Sequence, residues 1–299
     1  MSASARVALY GLGSMGMEVA GRLSRVFHLQ VADLNEEALL QAETELGAQR
    51  VRCPEDVAQT DFIVLCLPDP GISLQVLKEI GPHLKSGAVV IETSTVNPQD
   101  IALQAKLLAA HEIEMIDASL MAGVAQMKAG QAKLLIGGAP EVIGQCAPVL
   151  DALAEKQVVF GPLGSGAAAK VINNAVAHAV MVVVAEAGSL ASANQVDLDK
   201  LIQLLSDPQM GIHRPLTYRL AERILNEDYQ GGMPMDAACK DSMLALTLAQ
   251  SSGVPLFAIQ ACHSVYEMAV AAGYARDDYA AIAKLWDGWG VPVVNDIQH

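Results

Sequence analysis

Basic residues are scarce in this chain: 19 lysines and arginines stand against 33 aspartates and glutamates, a formal net charge of −14. A surface of that sign repels a phosphate backbone, so nucleic acid is not an expected partner. A small anionic substrate stays open, because a few local cations can reverse the potential inside a cleft. Cysteine is scarce too. The five copies, Cys53, Cys66, Cys146, Cys239 and Cys262, are scattered and include no Cys-x-x-Cys pair. They read as reduced thiols of a cytoplasmic protein. The 7 histidines are dispersed and lack any metal-ligand spacing, so no metal is expected. Neither a P-loop nor a Gly-x-Ser-x-Gly elbow occurs. The first residues lack the basic and apolar regions of a secretory leader. The longest apolar stretch, Ala175 to Ala185, is interrupted by His178 and falls short of the roughly 20 residues of a membrane span. A buried helix is the expectation there, with no membrane partner.

What the chain has is core. Its 299 residues are 52% hydrophobic and 17% charged, enough for two domains and too apolar for disorder. The first half alternates short apolar runs with helical patterns. Strands are predicted at Val7–Tyr10, Leu29–Asp33, Phe62–Leu67, Ala88–Glu92, Glu114–Asp117, Lys133–Gly137 and Val158–Phe160. Helices are predicted between them, as at Met15–Arg25, Glu36–Leu46, Ser73–Ile80 and Pro98–Ala110. That alternation predicts parallel strands with helices on both faces, a doubly wound α/β sheet. The second half loses the strand signal. From Ala167 to Ala193 it is small, apolar and free of proline, which reads as one long buried helix. Shorter helices follow around Leu198–Leu205, Arg214–Leu225, Met235–Gln250, Pro255–Ala272 and Tyr279–Trp286. The expected organisation is an α/β domain over residues 1–163, then an all-helical domain over 164–299 that begins with the long inter-domain helix.

Gly11-Leu12-Gly13-Ser14-Met15-Gly16 follows the first strand and opens a helix. In a turn of this kind Gly11 permits the tight bend, Gly13 lets backbone approach a pyrophosphate, and Gly16 allows close helix–strand packing. The diphosphate would rest on the helix N-terminus. Asp33 ends the second strand, about 20 residues on, where a carboxylate binds ribose hydroxyls and repels a 2′-phosphate. No arginine follows it directly, so NAD is expected, with NADP as the alternative. Leu67, Pro68 and Thr95 end two further strands and would complete the rim of the cofactor crevice.

The segment Gly161–Asn174 carries the chemistry. After a glycine-rich turn it places Lys170 and Asn174 at i and i+4, on one helix face. An amine and an amide there can reach one small molecule together. Loss of a hydroxyl proton as hydride leaves for a nicotinamide needs a base, and an amine serves as base in oxidation and acid in reduction. Burial, or a neighbouring cation such as Lys240, would lower its pKa toward neutrality.

With these motifs in order, the chain resembles the β-hydroxyacid dehydrogenase family. That family includes 3-hydroxyisobutyrate dehydrogenase, tartronate semialdehyde reductase and relatives of 6-phosphogluconate dehydrogenase. The resemblance implies a Rossmann domain, an all-α domain and an NAD(P)-dependent oxidoreductase for a small 3-hydroxy acid or its semialdehyde. It makes Lys170 the general acid/base and Asn174 its polar companion, and it puts Lys240, in Lys240-Asp241, near nicotinamide and substrate. The family's substrate segment, Asp-x-Pro-Val-Ser-Gly-Gly, falls on Asp117-Ala118-Ser119-Leu120-Met121-Ala122-Gly123. Here the chain departs from the pattern: Ser119 replaces proline, Met121 serine and Ala122 the first glycine. The lost serine and glycine help bind the substrate carboxylate, leaving the backbone amides of Ala122 and Gly123 as donors. Arg214, beside His213, is a candidate for compensating anion binding, since guanidinium pairs bidentately with oxyanions.

Two other functions compete. An imine reductase shares the architecture by resemblance, but such enzymes typically lack lysine at the position of Lys170. A non-catalytic nucleotide-binding protein would explain Met121 and Ala122, though not an intact Lys170, Asn174 and Lys240. The apolar helix and the alanine-rich second half predict more apolar surface than one subunit hides, hence a homodimer or homotetramer.

Overall fold

A computed structural model describes residues 5–294. The chain divides into two compact units, residues 1–175 and 176–299. The division falls inside one long helix.

The first unit holds an eight-stranded sheet in the order β3-β2-β1-β4-β5-β6-β7-β8. Its strands are β1 (Arg6–Tyr10), β2 (His28–Ala32), β3 (Gln49–Arg50), β4 (Phe62–Leu65), β5 (Val89–Glu92), β6 (Glu114–Met121), β7 (Lys133–Gly137) and β8 (Lys156–Gly161). Helices α1 (Ser14–Leu23), α2 (Glu36–Leu46), α3 (Pro70–Ile80), α4 (Pro98–Ala109), α5 (Val124–Lys128) and α6 (Pro140–Leu153) connect them. The central strands are continuous apolar runs because both faces are covered. On β1, Val7 and Leu9 join one buried cluster while Ala8 and Tyr10 join the other, the alternation a pleated strand requires. β1 pairs in parallel with β2 on one side and β4 on the other. The strand order reverses there, and this is where an open α/β sheet receives ligands.

Three details differ from the sequence expectation. β3 has 2 residues, too few to leave a periodic signal. β7 runs antiparallel to β6, because the stretch from Ala122 to Ala132 holds only the 5-residue α5 and cannot carry a full crossover helix. β6 itself extends past Asp117 to Met121. Asp117, Ser119 and Met121 therefore share one face of a single strand.

Helix α7 (Ser165–Ala193) is 29 residues long. The sequence predicted it as buried, and that is corrected: in the single chain Ile172 is 64% exposed and Met181 62%. Small apolar residues suit close packing but do not by themselves supply a neighbour. Its most apolar window has a mean hydropathy of 1.6, so length and composition would allow a bilayer crossing. Asp117 accepts an amide of its first turn, and its buried Glu186 caps a later helix.

The second unit contains α8 (Leu198–Ser206), a π-helical segment (Pro215–Ile224), α9 (Met235–Ser252), α10 (Phe257–Ala269) and α11 (Lys284–Gly288). Its core is small, formed by Tyr229, Met235, Ala269, Ala280, Ala281 and Leu285. Glu186 accepts the amides of Phe257 (2.6 Å), Ala258 (2.7 Å) and Ile259 (3.1 Å) and so caps α10.

Candidate active site

The glycine turn sits where β1 meets α1. Gly11 has φ +101°, and a Cβ there would overlap the Cys66 carbonyl. A Cβ at Gly16 would overlap the Gly11 carbonyl. Both glycines are thus required by the fold of the turn. Gly13 differs: a Cβ added there meets nothing within 4 Å. The backbone at Gly13 faces open space, as a pyrophosphate cradle needs, and Ser14 and Met15 open α1 beside it. The amide of Leu12 donates to Asp33, whose other oxygen accepts from Asn35 N at 2.8 Å. Asp33 therefore holds the loop as well as standing at the end of β2. Leu34 beside it is fully exposed. These residues fit a dinucleotide.

The neighbouring strand ends are pinned to one another. Leu67 N donates to Ser94 Oγ at 2.8 Å and Thr93 Oγ1 to Leu65 O at 2.6 Å. Glu92, fully buried, accepts from Ser94 N at 2.9 Å and Gln104 Nε2 at 3.1 Å. Burial raises its pKa against those bonds. Burial likewise pushes the Cys66 thiol up to about 11, so it is inert at neutral pH. Pro68 and Thr95 are exposed at the rim.

The catalytic candidates are positioned from β6. Asp117, fully buried, accepts Gly164 N and Ala167 N, each at 2.6 Å. Burial raises its carboxyl above the usual range, and the two amides pull the other way. Gly166 is required here because a Cβ would strike the Leu135 carbonyl. With α7 fixed this way, Lys170 comes one turn later, half-buried. Its Nζ donates to Met121 Sδ at 3.6 Å. Asn173 Nδ2 lies 3.8 Å from the same sulfur and 3.5 Å from Asn174 Oδ1. Desolvation lowers the Lys170 pKa. Among the described residues no carboxylate pairs with it.

The substrate segment is poor in donors. Ser119 is 1% exposed and its hydroxyl has no partner among the described residues. Ala122 is half-buried. The Gly123 amide is already engaged, donating to Gln126 Oε1 at 2.8 Å. The sequence reading gave no role to Gln126. Its signal was present in the spacing, three residues after Gly123 at the start of α5, where a glutamine side chain can reach back to the amide that precedes the helix.

The remaining candidates lie in the second unit. Lys240 is exposed and paired with Asp241 at 3.0 Å. Arg214 stacks on Tyr218, 4.1 Å from the ring centre. Arg219 and Arg223 approach the same ring at 4.7 and 5.1 Å. Those two are tied to buried Asp278, whereas Arg214 has no acidic partner among the described residues.

Comparison with known proteins decides the family. Residues 6–161 match the NAD binding domain of 6-phosphogluconate dehydrogenase. Residues 164–286 match the NAD-binding domain of NADP-dependent 3-hydroxyisobutyrate dehydrogenase. The chain belongs to the β-hydroxyacid dehydrogenase family. It is 30% identical over 285 residues to 3-sulfolactaldehyde reductase of Escherichia coli, covering 94% of this chain and 95% of that one. It is 28% identical over 291 residues to 2-(hydroxymethyl)glutarate dehydrogenase of Eubacterium barkeri, 96% of each. An imine reductase from Myxococcus stipitatus, solved with NAD+, shares the fold with a TM-score of 0.84 at 19% identity, covering 94% of this chain and 98% of that one. This member of the family is an NAD(P)-dependent oxidoreductase of the hydroxyacid dehydrogenase type.

Proposed function

We propose that the protein transfers hydride between NAD and a small 3-hydroxy acid or its semialdehyde, with Lys170 as general acid/base. The observation that carries this is the state of the Lys170 amine. It is half-buried on a helix anchored by Asp117, its pKa is lowered by desolvation, and its partner is a neutral thioether. An amine without a carboxylate partner gives up its proton more readily than one held in an ion pair.

The nicotinamide, when bound, supplies the hydride acceptor and donor. Oxidation also requires removal of the hydroxyl proton, which passes to the neutral Lys170 Nζ. In reduction the Lys170 ammonium returns a proton to the same oxygen. Asn174, with Asn173 bonded to it, holds the substrate hydroxyl through neutral hydrogen bonds that leave the proton free to move. Asp33 favours NAD over NADP, since a carboxylate repels a 2′-phosphate. Arg214, which has no acidic partner among the described residues, is the candidate cation for the substrate anion, with Lys240 as a second. The exposed apolar face of α7 is covered by a second copy of the chain in a cytoplasmic homodimer or homotetramer, which light scattering reads directly.

The test is NAD-linked turnover of short 3-hydroxy acids and their sulfonate and phosphonate analogues, with wild type beside Lys170→Ala. Turnover lost in the variant while NAD still binds supports the reading. Turnover that survives Lys170→Ala overturns it. An Arg214→Ala variant with unchanged substrate KM removes Arg214 from the site.

A further inference from the structure

We infer that Glu92 is a positioning residue for the cofactor: it holds Ser94, and through Ser94 it fixes the Leu67 backbone beside the glycine turn. Neither Lys170 nor the substrate enters into this role. It rests instead on Leu67, Pro68 and Thr95 forming the rim of the dinucleotide crevice.

A carboxyl group in a protein interior is costly unless donors meet its oxygens. Glu92 is 0% exposed, at the last position of β5 and in register with Leu65 of β4. Among the described residues no cation pairs with it. Its donors are Ser94 N at 2.9 Å and Gln104 Nε2, from α4, at 3.1 Å. An aliphatic side chain would fill this strand end more cheaply. What Glu92 adds is a direction for the chain that leaves β5.

Ser94 turns its amide back onto Glu92 and its hydroxyl across to the neighbouring strand. There Ser94 Oγ accepts Leu67 N at 2.8 Å. Thr93, between them, donates its hydroxyl to Leu65 O at 2.6 Å. Leu67 in turn abuts the cofactor turn: a Cβ at Gly11 would stand 3.2 Å from Leu67 Cδ2 and overlap the Cys66 carbonyl. Gln104, Glu92, Ser94 and Leu67 thus form a relay from α4 to Gly11. A turn held in its bound shape beforehand loses less freedom when the dinucleotide arrives.

The relay needs an acceptor at Glu92, not a charge. Burial raises the Glu92 carboxyl above the usual range, and acid and carboxylate alike present an oxygen to Ser94 N. A glutamine would do the same. Its new N–H would find Gln104 Oε1, which is buried without a partner among the described residues, once the Gln104 amide turns over.

The experiment is a fluorescence titration of the full chain with NADH, beside a thermal melt of each variant without cofactor. Glu92→Leu and Ser94→Ala are each expected to raise the NADH Kd about tenfold, while Glu92→Gln stays within about twofold of wild type. The double variant Glu92→Leu/Ser94→Ala is expected to bind no more weakly than the weaker single variant, because both break one relay. Thr95→Trp fills the rim directly and should also weaken NADH binding. If Glu92→Leu fails to fold, Ser94→Ala still reads the relay. A Glu92→Leu variant that melts lower but keeps its Kd overturns the inference, as does additivity in the double variant or a Gln variant as weak as Leu. Wild-type affinity in Thr95→Trp overturns the rim itself and the role of Glu92 with it. Weakening in Thr95→Trp alone overturns only the role of Glu92.

Discussion

Asp117 on β6 accepts the backbone amide of Ala167 on α7 at 2.6 Å, and this contact fixes where Lys170 stands. A second amide, Gly164 N, meets the other carboxylate oxygen at the same distance. An asparagine has one acceptor oxygen and turns an N–H toward the remaining donor. Asp117→Asn is therefore expected to cost about 2 kcal/mol of stability, the range for hydrogen bonds to a charged group. It should also lower kcat by about tenfold through misplacement of the amine. NAD affinity should hold, since no residue of the glycine turn touches Asp117. Thermal melts beside single-turnover kinetics check this, and an unchanged kcat would remove Asp117 from the positioning of Lys170.

Asp33 holds the glycine turn and is proposed to select the cofactor, and its variants should separate the two roles. One oxygen holds Leu12 N in the glycine turn and the other holds Asn35 N at 2.8 Å. Asp33→Asn keeps an acceptor for Leu12 but loses the charge that repels a 2′-phosphate. The NAD-to-NADP preference is expected to fall about tenfold with the turn intact. Asp33→Ala loses both and should weaken binding of either cofactor. Titrations with the two cofactors distinguish these outcomes. Equal preference in wild type and Asp33→Asn would show that the charge plays no part in selection.

The sequence made the cofactor turn legible because two of its glycines, Gly11 and Gly16, answer a steric demand. The overlaps at Gly11 and Gly16 are backbone overlaps that no larger residue escapes. The helical placement of Lys170, early in α7 after a glycine-rich bend, was legible as well. What was not legible depends on partners distant in the chain. Asp117 binds amides about 50 residues away, and no local pattern announces that. The antiparallel turn of β7 depends on the length of a connection, not on the apolar run itself. Helix α7 misled in the other direction. Its small apolar residues promised burial, but burial needs a neighbour, and a composition cannot name one. Met121 was visible as a departure from the family pattern, yet only the structure aims the Lys170 amine at its sulfur.

Glu186 is a second long-range anchor, at the start of α10. Three amides of that first turn donate to it, at 2.6, 2.7 and 3.1 Å. A carboxylate at a helix N-terminus also meets the positive end of the helix dipole. Glu186→Ala strands these donors, and a loss of about 2 kcal/mol in unfolding free energy is expected. Glu186→Gln keeps one acceptor and should lose about half of that. Urea melts of the two variants check the order. A Gln variant as damaged as Ala would mean that charge, not hydrogen bonding, carries the cap.

The lowered pKa of Lys170 gives the pH dependence its sign. Burial disfavours the ammonium, so the amine loses its proton below the ordinary lysine value of about 10.4. With Lys170 as the proposed base, oxidation needs the neutral amine; kcat/KM should rise with pH and level off at an inflection below that value. Reduction needs the ammonium and should fall across the same inflection. Lys170→Arg keeps a charge but does not deprotonate in this range, so the rising limb should vanish. Stability follows the same proton. The folded amine binds it less tightly than the unfolded chain does, so the folded state carries a penalty below the folded pKa. That penalty disappears as pH climbs from the lowered value toward about 10.4. Lys170→Met, which has no such group, is expected to be more stable than wild type at neutral pH, with the gap closing as pH rises. Urea melts at neutral and alkaline pH read the gap, and pH–rate profiles read the inflection. An inflection at the ordinary lysine value, with a stability gap that ignores pH, would mean that the amine is solvated and the site does not tune it.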